Sequence, residues 1–191
     1  QSYPTWAQPA DIYLSECLGT NAAFYGVLKV TADMATVLGE KKAAKKYAQK
    51  AEALKQAIND KFWMEEEGFY ANYYYGRQNI SMLERSETLG ESFCVLFGIA
   101  DEERAARVIS SMHVGEFGPP ILSPQIVDQG DYHNNGVWPY VTSFWGKAAA
   151  AVGNETALLH ALACNVRTAS LYATNYENYS FNTGNPYTTL M

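Results

Sequence analysis

Apolar residues in the first part of the chain recur every three or four positions, at Leu14, Leu18, Ala22, Tyr25, Leu28, Ala32 and Ala35. Side chains at that spacing share one helix face, so the pattern predicts a helix over residues 12–38, with Gly39 as its stop. This helix has few charges and many small residues, and it is expected to be largely buried. A second helix over residues 40–62 places Ala44, Tyr47, Ala51, Leu54 and Ile58 on one face and Lys41, Lys42, Lys45, Lys46 and Lys50 on the other. That is the pattern of an outer helix with one solvated side. Residues 68–75 hold Phe69, Tyr70, Tyr73, Tyr74 and Tyr75 between glycines, which predicts a short strand or extended loop. Helical spacing returns over residues 81–98 through Leu83, Leu89, Phe93, Leu96 and Phe97, with Glu84, Arg85, Glu87 and Glu91 in the first turns. A short outer helix follows over 101–113, then a Gly- and Pro-containing connection over 115–129. A third apolar helix runs from Pro139 to about Val152, with Gly153 as its stop and Asn154 capping a sixth helix that ends near Ala173.

The order inner, outer thus repeats three times, with inner helices starting near residues 12, 84 and 138. In an α/α toroid each outer helix returns the chain to the same rim. The loops over 3–9, 78–91 and 131–139 should therefore meet at one end, together with the stretch 175–184, which should lead into a seventh helix. The opening Tyr3-Pro4-Thr5-Trp6-Ala7-Gln8-Pro9 cannot be helical, because each proline restricts itself and the residue before it.

Composition narrows the ligand. The 191 residues carry 14 basic and 20 acidic side chains, a net charge of -6, which argues against a nucleic-acid backbone as partner. The 14 tyrosines stand mostly beside Asn, Gly, Ser or Thr, a composition suited to polar ligands with flat apolar faces. Cys17, Cys94 and Cys164 lie far apart in apolar helical contexts and read as buried thiols. No CxxC or Cys/His cluster points to zinc, and no metal or other cofactor is expected. No apolar run approaches the roughly 20 residues that span a bilayer, so no membrane partner is expected. The compartment stays open, with a periplasmic or extracellular location favoured over a cytoplasmic one.

The densest candidate chemistry is Asp131-Tyr132-His133-Asn134-Asn135-Gly136-Val137-Trp138-Pro139. His and Asn offer directional partners for hydroxyls, Trp138 a flat apolar face for a pyranose, and Gly136 close backbone approach. The same residues also suit a turn followed by a helix start, with Pro139 in the first turn. Tyr132 to Pro139 resembles the sugar-binding Y-H-N-G-x-W-P segment of the six-hairpin, (α/α)6-barrel glycoside hydrolases, with one extra Asn. Glu177-Asn178-Tyr179 followed by Thr183-Gly184 resembles the E-N-Y-x-x-x-T-G segment of their α-glucosidase and trehalase members.

The resemblance implies an all-α fold, a single partial (α/α)6-barrel catalytic domain over residues 1–191 with about three of six hairpins. It implies an inverting glycosidase acting on α-linked glucosides or related hexosides, with Glu177 as general base. The general acid of such enzymes, an Asp, would fall before Gln1; Asp11, Asp128 and Asp131 are the internal alternatives. His133, Asn135, Trp138, Tyr132, Glu87, Glu84, Trp6 and Gln8 are the expected substrate-binding residues. Arg85 is expected to pair with a neighbouring carboxylate. A lone half-ring would leave apolar helix surface open, to be covered by a homodimer partner or by the missing part of its own barrel. The alternatives are a glycoside phosphorylase on the same fold, with His133 as the rim candidate for phosphate, and a non-catalytic helical-repeat module that binds glycan or protein.

Overall fold

The computed structural model describes residues 15–75, 80–127 and 131–186, the side chain of Asp131 excepted. Among the described residues six α-helices carry the fold: α1 (Leu18–Val37), α2 (Lys41–Phe62), α3 (Thr88–Leu96), α4 (Glu102–Ser111), α5 (Pro139–Ala151) and α6 (Glu155–Tyr172). They form three hairpins. α1 packs on α2 and α3, α3 on α4 and α5, and α5 on α6, so α1, α3 and α5 stand side by side as an inner row backed by outer helices.

Local chemistry sets the helix ends. After α1 the chain turns at Gly39, whose φ of 77° lies in the left-handed region, and the Glu40 amide closes the end on the Ala35 carbonyl at 2.8 Å. Asp101 caps α4 by accepting from the Arg104 amide at 2.9 Å, and Asn154 caps α6 by accepting from the Ala157 amide at 3.0 Å. Two boundaries differ from the sequence reading. Residues 15–17 are extended, so α1 starts at Leu18 and not near Ile12. The segment 81–87 forms strands, leaving α3 only nine residues. In both places backbone pairing to a neighbouring segment overrides a helical apolar spacing.

Those pairings hold the rim. Strand β1 (Glu16–Cys17) pairs with β4 (Tyr73–Tyr75), which pairs with β5 (Ser81–Leu83); β2 (Trp63–Met64) pairs with β3 (Phe69–Tyr70). Strand β6 (Ser86–Glu87) pairs with β7 (Leu122–Ser123), and β8 (Gly136–Val137) with β9 (Tyr179–Ser180). The Ile121 amide donates to the Gly136 carbonyl at 2.9 Å and joins the last two pairs. The three connections that follow outer helices are thereby laced together at one end of the bundle.

The core lies between the rows and includes Leu18, Tyr25, Ile58, Phe62, Cys94, Val108, Trp145 and Ala161. The two helices of the last hairpin approach closely: a Cβ on Gly146 of α5 would stand 2.8 Å from Cβ of Ala161 on α6. All three cysteines are buried and free. The α2 lysines at 41, 42, 45, 46 and 50 are exposed. The expectation that the first helix is largely buried fails on one face, where Phe24, Val27, Val30 and Met34 stand more than half exposed. An inner helix of a ring is apolar both toward its outer partner and toward the ring axis, and the described residues cover only the first of these faces.

Candidate active site

Residues Asp131–Asn135 form a single π-helical turn that leads directly into β8 and α5. Asn134 fixes this turn: buried, it accepts from the Ile126 amide at 2.7 Å and donates to the Ile126 carbonyl at 2.9 Å, so one amide side chain mimics a strand partner. The Trp138 indole N–H donates to the Tyr132 carbonyl at 3.0 Å and locks the end of the turn over the start of α5. Tyr132 meets Trp138 edge-on at 4.9 Å between centroids, and His133 lies over it at 6.1 Å with planes 15° apart.

The second strap is the segment after α6. Its backbone is tied to the first by β8–β9 pairing and by the Phe181 amide, which donates to the Asn135 carbonyl at 2.8 Å. Within the strap, Tyr179 is fully buried, stacks on Tyr172 at 5.6 Å and accepts from the Tyr176 amide at 3.0 Å through its phenol oxygen. Between Tyr176 and Tyr179, Glu177 is left exposed at the lip of a cleft of about 560 Å³ that Tyr140, Asn165, Tyr176 and Glu177 help to line.

Electrostatics tie the pieces together. Desolvation, then a hydrogen bond from Tyr132 to Glu177 and the charge of that carboxylate, push the Tyr132 phenol above its usual value. His133 is pushed down by burial, against an opposing pull from Glu177, so its imidazole is held toward the neutral form. Glu87 is 3% exposed, caps α3 by accepting from the Gly90 amide at 2.7 Å, and is pushed up to about 7 by burial, which that amide and the Leu89 amide partly offset. Burial, then the charges of Glu87 and Glu177, raise the Tyr140 phenol, so both carboxyls lie within electrostatic reach of that ring.

Tyr132, His133 and Trp138 therefore form one aromatic cluster within electrostatic reach of Glu177, and the Asn135 backbone is tied to the same strap. The cleft at Glu177 itself is lined by Tyr140, Leu162, Asn165, Val166 and Tyr176, and Glu87 is linked to it by the charge it exerts on Tyr140. Trp138 is not the open platform that its sequence context implied: Tyr132, His133 and Tyr140 crowd the indole, which is 8% exposed. Glu84 is exposed on the link between β5 and β6 and precedes α3 instead of lying in its first turn. Glu91 is fully buried and accepts from the Tyr70 amide at 2.8 Å, so it braces β3 and does not reach the rim. Arg85 donates to the backbone carbonyls of Pro124 and Gln125 in place of a carboxylate. Trp6, Gln8, Asp11 and Asp128, and the side chain of Asp131, lie outside the described residues. Sequence reasoning missed Tyr140 and Tyr176, which line the cleft with Glu177. The usable signal was their place within two residues of Trp138 and Glu177.

Among solved structures, the chain is similar to the GH63 mannosylglycerate hydrolase from Thermus thermophilus in complex with glucose, at 16% identity and a TM-score of 0.74, covering 90% of this chain and 41% of that one. The same enzyme in complex with Tris matches at 16% identity and a TM-score of 0.75, covering 94% of this chain and 44% of that one. The chain thus spans less than half the length of these structures, and the likeness establishes the fold, three hairpins of a six-hairpin (α/α)6 toroid. Residues 5–189 match the mannosylglycerate hydrolase MGH1-like glycoside hydrolase domain, and the chain belongs to that glycoside hydrolase family.

Proposed function

We propose that this chain supplies the general base and part of the sugar-binding wall of an inverting glycosidase acting on α-linked glucosides or related hexosides. The observation that carries the reading is the position of Glu177: exposed at the cleft and on a strap whose β9 strand pairs with β8, directly after the Tyr132-containing turn. In this mechanism Glu177 takes a proton from water as the water oxygen attacks the anomeric carbon. The bond from that carbon to the leaving oxygen breaks, and a second carboxylic acid protonates the oxygen from roughly 6.5–9.5 Å across the sugar. By resemblance that acid is an Asp. Tyr132, His133 and Asn135 bind sugar hydroxyls, Trp138 holds this cluster in register, Glu84 takes a hydroxyl on the α3 side, and the buried Glu87 supports the start of α3.

Hydrolysis is favoured over phosphorolysis because His133, the rim candidate for a phosphate partner, is held toward its neutral form. The Thermus enzyme is by name a mannosylglycerate hydrolase and is seen in complex with glucose, which supports a hexoside as the ligand class. The apolar residues left open on α1 (Phe24, Val27, Met34) and at Leu159 of α6 are the surfaces that the rest of a ring buries, whether further hairpins or a second copy supplies it, whereas Leu162 and Val166 line the cleft beside Glu177.

The test is Glu177→Gln in the complete protein. Hydrolysis of α-hexosides should fall by about three orders of magnitude or more while sugar binding persists, and NMR of the first product should show inverted anomeric configuration. Near-wild-type turnover would remove Glu177 from the role, and a retained anomer would exclude the inverting pair.

A further inference from the structure

The crowding of Trp138 leaves open which aromatic faces a bound sugar, and one ring outside the recognised motif has the required placement. Tyr140 lies in the first turn of α5, two positions after Trp138, and is 50% exposed. It meets the indole edge-on, with centroids 5.8 Å apart and planes at 86°, so one side of its ring is braced. It lines the same cleft as Tyr176 and Glu177. We propose that Tyr140 is a further substrate-contacting residue of this site, its ring forming the exposed aromatic wall and its hydroxyl donating to a sugar hydroxyl held near Glu177. The inference rests on the glycosidase reading above.

The chemistry favours a phenol here. Ionised carboxylates only accept hydrogen bonds, so a sugar hydroxyl that donates to one still needs a donor for its own oxygen. Tyr140 can be that donor, because burial and the charges of Glu87 and Glu177 all oppose loss of its proton. Its ring offers the flat apolar surface on which the C–H face of a pyranose packs, at little entropic cost because two torsions fix it.

The complete protein is assayed with p-nitrophenyl α-D-glucopyranoside and α-D-mannopyranoside, comparing wild type, Tyr140→Phe and Tyr140→Ala. Loss of one neutral hydrogen bond predicts a KM raised roughly 2- to 13-fold in Tyr140→Phe, with kcat within about twofold. Tyr140→Ala should lose more, because the ring goes as well. Monodeoxy versions of the cleaved hexoside give a readout that a merely structural residue would not move: for one of them, wild type and Tyr140→Phe should have equal KM. If Tyr140→Ala fails to fold, Tyr140→Phe and the deoxy series decide. A Tyr140→Phe enzyme with wild-type KM on every hexoside overturns the inference and leaves the glycosidase reading standing. A complete protein that cleaves no α-hexoside overturns both.

Discussion

Glu87 makes the reasoning about buried charge measurable. Its carboxyl is 3% exposed, and burial lifts it from 4.5 to about 7 in the folded protein. A carboxyl raised on folding binds its proton more tightly in the folded state. Its contribution to stability is therefore fully present below about 4.5 and is lost as pH rises to about 7. That interval corresponds to on the order of 3 kcal/mol. Glu87→Gln keeps an oxygen to accept from the Gly90 amide and preserves the cap of α3, but it removes the ionisation. The amide hydrogens of the new Gln carry a fixed cost at every pH, so the informative quantity is the slope and not the absolute stability. Urea unfolding of the complete protein, followed by tryptophan fluorescence at pH 4.5 and pH 8, should show wild type losing on the order of 3 kcal/mol more than the variant across that range. Glu91, also raised by burial, leaves a residual slope of the same sign in both proteins. Equal slopes for wild type and variant would refute the claim that burial raises the Glu87 carboxyl.

The other predictions concern packing and the straps. Gly146→Ala should destabilise the protein by about 1–3 kcal/mol through overpacking, since its Cβ would stand 2.8 Å from that of Ala161; a melting temperature unchanged from wild type would contradict the α5–α6 approach. Asn154→Ala should cost about 1 kcal/mol by removing the cap of α6, with Asn154→Ser recovering most of it in the same unfolding assay. Tyr179→Phe removes the acceptor for the Tyr176 amide while keeping the ring stack; kcat for an α-hexoside should fall several-fold with little change in KM, and unchanged kcat would show that this bond does not hold Glu177 in place.

The alternation of inner and outer helices was legible before any coordinates, because a helix that buries one face must repeat apolar residues every three to four positions. The lysine stripe of α2, the Gly39 stop and the Asn154 cap all follow from properties of single residues and their near neighbours. The two segments that resemble family motifs, 132–139 and 177–184, were legible as well, since each is contiguous. What failed was local structure governed by distant partners: residues 81–87 have helical spacing but pair as strands with segments before and beyond them, and Arg85 finds carbonyls some forty positions away. Burial of Trp138 and Glu91 was equally out of reach, because a contiguous motif names side chains without saying which neighbours will cover them. Sequence by itself thus determined the helices and their hairpin order, which depend on short-range periodicity, and marked the contiguous segments that resemble family motifs. The tertiary structure alone decided which of those groups face the cleft, since exposure at a rim depends on backbone pairing between segments remote in the chain.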